Sequence, residues 1–219
     1  MNRLLAAVAL FASFQACAAP FAAQVGDVRL GLDAPPGFAD TLSTGSPRLQ
    51  ELAESLTSAS NRILLFAISD ADLRRFSTGD PLELRRYMIV VTPRGSERER
   101  MSESAFKVFT GESLRALGPP PADANYQKHL DAQPVGAASF LAELRRDPDV
   151  VSVLQGTRTK AGGLFQRSSY LVSTTTLLLL RGKALHLAVF GPYDDPADVE
   201  WIRVTTARWI DELKRLNPR

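Results

Sequence analysis

The spacing of apolar residues predicts three strands in the first ninety residues. Over 28–32, apolar residues alternate with polar residues or glycine, which is the period of a half-buried strand, and the turn residues 35–37 end it. The runs 63–68 and 87–91 are apolar throughout and rich in branched residues. We therefore expect both runs to be interior strands of a sheet that is covered on two faces.

Helical spacing predicts four helices in the first two thirds of the chain. Ser46, directly before a proline, is a typical helix start. Asp70 is predicted to cap a short second helix. Apolar residues also recur at helical intervals over 96–109 and 137–146, and Gly111 is predicted to end the first of these segments.

The last third of the chain predicts three strands followed by one long helix. The runs 150–158, 164–180 and 184–190 are strand-like and are joined by short links that contain glycine, as in hairpins. They predict an antiparallel meander. The closing helix is predicted to begin at Asp194 or Asp195. Its buried face is expected to contain Val199, Ile202, Thr206, Trp209, Ile210 and Leu213.

This order of elements predicts an α+β fold, with a largely antiparallel sheet, a C-terminal three-strand meander and helices packed on the sheet. We expect residues 24–217 to form a single α+β domain, since a chain of 219 residues is short for two domains of ordinary size. The proline-rich segment 118–123 is interpreted as a surface loop within that domain.

Residues 1–18 are typical of a secretory signal peptide. A short basic start precedes an apolar run of about 11 residues and then small residues, which predicts cleavage after Ala18. A helix of that length covers only about half of a ~30 Å hydrocarbon core, so it suits a signal better than a permanent span. Cys17 supports an alternative, a lipoprotein signal in which Cys17 is lipidated, although Phe14 stands where leucine is usual.

Composition narrows the possible partners and chemistry. Cys17 is the only cysteine, so cleavage after Ala18 leaves no thiol for a disulfide or a nucleophile. The formal net charge of +2 is far from the strongly basic footprint of a nucleic-acid binder, and no nucleic-acid partner is expected. The arginine pairs 74–75, 85–86 and 145–146 stand among carboxylates and are interpreted as parts of a mixed, solvated surface.

Two histidines are the only candidates for metal or base chemistry. His129, with Asp123 and Asp131, is the nearest approach to a ligand set, but zinc sites need more histidine or cysteine. We predict no metal site and no cofactor. His186 alternates with small and aromatic residues, and we interpret it as a hydrogen-bonded histidine beneath a helix or at a rim. A role as ligand or general base is the alternative.

No catalytic residue is assigned. The pentapeptide Gly-x-Ser-x-Gly of nucleophile-elbow hydrolases is absent, and Ser104 with Lys107 has acyl-transfer spacing without its companion motifs. The glycine-rich segment 156–163 lacks the residues of a phosphate loop. Arg158, with Lys160 and Arg167 at the same loop, could instead face an acidic partner surface or lipid headgroups.

Two stretches resemble the PsbP-like superfamily of exported or lumenal α/β domains. The turn Pro36-Gly37-Phe38 matches its proline-glycine-aromatic turn, with Phe38 in place of the usual tryptophan. The segment from Tyr170 to Leu216 matches its late meander and C-terminal helix. The resemblance implies an accessory, binding or assembly role outside the cytoplasm and carries over no functional residue.

The sequence therefore leads to three hypotheses. The first is a non-enzymatic accessory or assembly protein, periplasmic or secreted, that acts through contacts with an unknown protein partner in the cell envelope. The second is a secreted hydrolase whose carboxylate or serine site is formed only by the fold. The third is a lipid-anchored envelope protein, which requires lipidation of Cys17 and is the only hypothesis that involves the membrane.

Overall fold

A computed structural model describes residues 20–115, 117–121, 125–159 and 169–218. The strands are β1 (Phe21–Val25), β2 (Val28–Leu32), β3 (Phe38–Asp40), β4 (Asn61–Ser69), β5 (Tyr87–Pro93), β6 (Ala138–Asp147), β7 (Val150–Arg158), β8 (Tyr170–Leu180) and β9 (Lys183–Pro192). The helices are α1 (Pro47–Ser55), α2 (Asp70–Thr78), α3 (Glu103–Arg115), α4 (Tyr126–Asp131) and α5 (Pro196–Leu216).

The predicted signal segment 1–18, with Cys17 and the cleavage site Ala18, lies outside the described residues. Asp123 and the loop residues 160–168 lie outside them as well. Within the part that the structure describes, no helix is both long enough and apolar enough to cross a bilayer.

A seven-stranded sheet with the order β3-β4-β5-β9-β8-β7-β6 forms the centre of the fold. Every neighbouring pair in it is antiparallel. The prediction of an α+β fold is confirmed, and so is the three-strand meander, which consists of β7, β8 and β9. The first predicted strand is present as β2, and it pairs with β1 in a separate hairpin that sequence analysis missed. β1 begins at Phe21, ahead of the domain boundary predicted at residue 24.

The helix predicted at 137–146 is wrong, because this segment forms strand β6. Two β-bulges interrupt the register of β6 with β7, between Phe140 and Ala142 and between Glu143 and Arg145. Each bulge inserts one residue, so side chains on one face recur every three positions instead of every two. Phe140, Glu143 and Arg146 consequently share one face. In the sequence, an interval of three is also the spacing of residues on one face of a helix, which is why a helix was predicted here.

Both faces of the sheet are covered, as the continuous apolar runs of β4 and β5 predicted. Helix α5 and the β1-β2 hairpin cover one face, where Ile202, Trp209 and Leu213 belong to the largest core cluster. Trp209 Nε1 also donates to the carbonyl of Asp33 at 2.8 Å. Helices α1 and α2 cover β4 and β5 on the other face, and α3 covers β8.

Several helix boundaries differ from the predictions for local reasons. α1 follows Ser46 as predicted, but the Ser46 side chain makes no capping hydrogen bond. The cap of α2 is Ser69, whose hydroxyl accepts from Asp72 N, and not Asp70. α3 begins only at Glu103 and continues through Gly111, where a Cβ would meet nothing within 4 Å. α5 begins with the predicted cap, formed by Asp195 and Asp198.

The buried ammonium of Lys183 joins three segments that are distant in the sequence. Its side chain is 1% exposed, and Nζ lies 2.9 Å from the carbonyl oxygens of both Glu97 and Glu99 and 3.0 Å from Asp27 Oδ1. The contact is close: a Cβ on Gly26 would lie 2.2 Å from the Glu97 carbonyl oxygen. The three donors of the ammonium are thereby satisfied, which is the condition for burying it.

We predict that Lys183→Met lowers the free energy of unfolding by about 3 kcal/mol, because two carbonyls and a carboxylate lose a buried donor. Urea unfolding of the folded protein measures this loss. Lys128→Met, which changes an exposed lysine on α4, is the matched control and should change the free energy by less than about 0.5 kcal/mol. Equal losses in the two variants would contradict the structural role of Lys183.

Candidate functional site

Helix α3 lies across the sheet and leaves a groove along its side. Phe106, which is 1% exposed, packs on Leu177 and Leu179 of β8. The segment before the helix is fixed to the β8-β9 turn, because Met101 N donates to the carbonyl of Gly182 at 2.8 Å. The side of α3 that faces β6 is left partly uncovered.

Three adjoining cavities follow this side of the helix, and we call them together the α3 groove. The first is about 440 Å³ and lies at the start of α3, beside the end of α5. The second, about 480 Å³, shares Glu103 with the first, and the third, about 350 Å³, shares Arg146 with the second. From α3, the groove is lined by Glu103, Ser104, Lys107, Thr110, Gly111, Leu114 and Arg115.

The dimensions of the α3 groove suit an extended peptide. The 13 residues of α3 span about 20 Å at the α-helical rise. An extended chain covers that length with about six residues. Leu179, Val151 and Phe140 supply apolar surface along the way, one in each cavity. The groove therefore offers apolar contacts between charged rims. Surfaces that bind protein segments commonly have this composition.

The carboxylates of the groove are already engaged within the protein. Lys214 Nζ lies 2.7 Å from Asp149 Oδ1, and Arg145 Nε lies 2.6 Å from Asp147 Oδ2. Glu143 pairs with Arg146, which holds the pKa of that carboxyl below its usual value. Glu103 is engaged as well.

Two cations of the groove have no such partner. In the described part of the chain, neither Lys107 nor Arg115 forms an ion pair or a side-chain hydrogen bond, and both are exposed. Glu112, also exposed on α3, does not line the groove, so the uncompensated charge of the groove lining is positive.

Strand β6 forms one edge of the sheet, but it is a poor template for adding another strand. Its outer side pairs with no strand of the described residues. Its two bulges break the even row of backbone donors and acceptors that strand addition needs, and its charged side chains protect the edge further. A ligand of this region is therefore expected to lie in the groove and to contact side chains.

His186 lies on the face of β9 toward α3, with its ring centroid 6.2 Å from that of Phe109. Its strand partners are Val91 and Leu177. The predicted position beneath a helix is confirmed. The predicted hydrogen bonding is wrong for Nε2, which is buried and has no partner among the described residues. Burial in these surroundings lowers the pKa of His186.

Among the residues that the structure describes, the others singled out in the sequence do not converge on a reactive centre. Asp131 accepts from the Tyr170 hydroxyl at 2.7 Å, and its carbonyl accepts from Arg158 at 2.9 Å, while neither contact involves His129. Across the described ranges, no group of three or more histidine, cysteine or acidic residues is arranged to hold a metal ion.

Ser104 and Lys107 both line the second cavity of the groove, but no hydrogen bond joins them. The Ser104 hydroxyl lies 2.9 Å from that of Ser102. The described part of the glycine-rich segment 156–163 is the end of β7 and the residue after it, and the next described element is β8, a strand. Ser104 and Lys107 therefore lack the geometry that their chemistry needs, and the described residues 156–159 contain no start of a helix.

The arginine pairs are distributed over the surface as predicted. Arg75, Arg85 and Arg86 each form an ion pair with a neighbouring carboxylate. Arg145 reaches both Asp147 and Asp211. These pairs are structural contacts of the surface and do not form an anion site.

Sequence analysis missed the groove. One wall of the groove is β6, which was predicted to be a helix because its bulges give the sequence an interval of three. The other wall is α3, which was predicted to start too early and to end at Gly111. The signal that was available is the helical stripe of small and basic residues on α3, from Ser104 through Lys107 to Arg115.

Comparison with known proteins gives no family. No protein-family model and no curated protein matches the chain. A solved structure of the Ran-binding protein Mog1p from Saccharomyces cerevisiae is 12% identical, with a TM-score of 0.38, over 90% of this chain and 95% of that one. A likeness of that size carries no argument about the function of this protein. The resemblance to the PsbP-like superfamily stays a prediction.

We predict that His186→Met makes stability less dependent on pH. The unfolded chain binds a proton at this histidine near pH 6.5, while burial keeps the folded chain from doing so until the pH is lower. The free energy of unfolding is therefore fully present above about pH 6.5 and falls as the pH drops below that value.

Urea midpoints at about pH 7.5 and about pH 5.5 measure this dependence. The midpoint should fall less in His186→Met than in the unchanged protein. His129→Gln, which keeps His186, is the control for the loss of one histidine. An undiminished fall in His186→Met would contradict the burial of a neutral imidazole.

Proposed function

We propose that this protein is an exported accessory or assembly protein that binds an extended segment of a partner protein in the α3 groove. The observation that carries the proposal is the groove itself, about 20 Å long, with apolar surface in each cavity and uncompensated cations on α3. Such a surface can hold a chain without any reacting group.

The pattern of residues 1–18 supports the proposed location. A basic start, a short apolar run and small residues before Ala18 are the features that direct secretion. We propose a periplasmic or secreted protein, with its partner in the cell envelope. Cys17 is the one residue that would instead anchor the protein to a membrane.

We predict that the protein recovered from cells has lost its first 18 residues. Intact mass spectrometry of the soluble and membrane fractions measures this directly. A soluble species that begins at Ala19 is expected. A diacyl or triacyl mass on Cys17 in the membrane fraction would show that the protein is lipid-anchored and not soluble. An uncut chain would contradict export.

We predict that a photo-crosslinking side chain at Gly111 captures one defined partner. Gly111 lines the third cavity, and a Cβ there would meet no atom within 4 Å, so the backbone leaves room for the substitution. The same crosslinker at Arg208, which is exposed on α5 and does not line the groove, is the matched control.

The expected product is a single crosslinked species that forms at Gly111, is absent at Arg208, and is lost when Lys107 and Arg115 are also changed to glutamate. Peptide mapping of the product should locate the crosslink in one segment of the partner. Equal products at Gly111 and Arg208 would contradict binding in the groove.

A further inference from the structure

We infer that the segment bound in the α3 groove is acidic, with carboxylates that meet Lys107, Arg115 and Arg181. This inference rests on the binding function proposed above and specifies the chemistry of the partner. It is carried by two independent observations, the balance of charge in the groove and the backbone conformation of Arg181.

The groove carboxylates Asp147, Asp149 and Glu143 each have an intramolecular cation. Lys107 and Arg115 have no counter-ion among the described residues and stand on the exposed side of the groove. A ligand with negative side chains compensates these two charges. A basic ligand would meet these three carboxylates, which already have a cation, and Glu103, which is engaged within the protein.

Arg181 adds a third cation at the first cavity, in an unfavourable backbone position. It occupies the two-residue turn between Leu180 and Lys183, with φ of +50°, and is followed by Gly182 with φ of +80°. Two positive φ values are typical of a type I′ turn, in which asparagine, aspartate or glycine is preferred at the first position. Arginine stabilises the turn less than asparagine would, because its Cβ crowds the backbone there.

The contacts of the Arg181 side chain explain why arginine occurs in this turn. One of its nitrogens donates to the carbonyl of Arg29 at 3.1 Å, which holds the guanidinium against the β1-β2 hairpin. Arg181 also lines the first cavity together with Arg100 and Lys214, and each of those two cations already has a carboxylate partner. The remaining donors of Arg181 are therefore placed at one end of the groove. A strained residue at such a place is a sign of function.

The spacing of the cations predicts the spacing of the carboxylates. Lys107 and Arg115 are eight residues apart on α3, which is about 12 Å along the helix. Acidic residues four apart in an extended chain are separated by about 13 Å and point to the same side. We therefore expect the partner segment to carry acidic residues at an interval of four.

The shape of the site favours a peptide over an anionic lipid surface. The cations lie along a concave groove whose cavities contain apolar residues such as Val151 and Leu179, and a flat bilayer would not reach into it. Vesicles of anionic phospholipid are nevertheless the informative competitor in the test, because headgroup phosphates share the negative charge.

The probe is a blocked seven-residue peptide of serine and valine with glutamate at its second and sixth positions. The matched peptide has glutamine at both positions. Binding to the full mature chain is measured by calorimetry at low salt. We expect the glutamate peptide to bind about tenfold more tightly than the glutamine peptide, and added salt to remove the difference.

Two sets of variants test the cations. Lys107→Glu with Arg115→Glu should weaken binding of the glutamate peptide about tenfold, since two attractions become repulsions. Arg203→Glu with Arg208→Glu, on exposed positions of α5, makes the same change in net charge and should leave binding within about twofold.

Arg181→Asn separates function from folding. It should weaken binding about threefold while it raises the urea midpoint, because asparagine suits the turn better. If Arg181 had only a structural role, Arg181→Asn would lower both the affinity for the glutamate peptide and the urea midpoint, or leave both unchanged.

Three other results would each contradict one claim: the acidic preference, the groove as the binding site, or a peptide as the ligand. If both peptides bind equally and Ser104→Trp, which places a large ring at the second cavity, abolishes that binding, then the groove binds peptides and only the acidic preference is wrong. If Ser104→Trp leaves binding intact, the groove is not the site and the proposed function fails with it. Binding of anionic phospholipid vesicles without binding of the glutamate peptide would overturn the inference in favour of a lipid surface.

Discussion

The position of helix α3, and with it the groove, depends on the buried ammonium of Lys183. This one group holds the carbonyls of Glu97 and Glu99 just before α3 and reaches Asp27 in the β1-β2 turn. Arg100 and Lys183 together lower the pKa of Asp27 to about 2, so the carboxylate stays charged over the whole physiological range. The start of α3 is thereby tied to two hairpins at once.

The same β8-β9 turn serves both the fold and the proposed site. Lys183 points inward to fix the chain before α3, while Arg181, two residues earlier, lines the first cavity of the groove. The turn accepts a less favourable backbone conformation at Arg181. Stability and binding are thus coupled through neighbouring residues, which explains why a binding cation occurs in a turn that favours asparagine.

Much of the fold was predictable where one period of side chains persists. The face of α5 from Ile202 to Leu213 follows the helical period without interruption, and the interior strands are continuous apolar runs, so their burial could be predicted. β6 could not be predicted, because its two bulges replace the strand period of two with an interval of three. The late start of α3 was also hidden, since it depends on contacts of 97–99 with a lysine more than eighty residues away.

The candidate site was less predictable than the fold because no single element contains it. Lys107 and Arg115 were visible in the sequence, but their lack of counter-ions among the described residues follows from where the carboxylates of β6 and the β6-β7 turn find their partners. Likewise, the strand pattern placed His186 beneath a helix correctly, while the missing partner of its Nε2 required the neighbouring chains to be in place.

The central claim is that an extended acidic segment lies along α3, and hydrogen exchange with and without the glutamate peptide tests it most directly. The account predicts slower exchange of backbone amides in α3 and in the β6-β7 region on binding, with no change in the first half of α5, which does not line the groove. Slower exchange confined to α5, or no change in α3, would contradict the account.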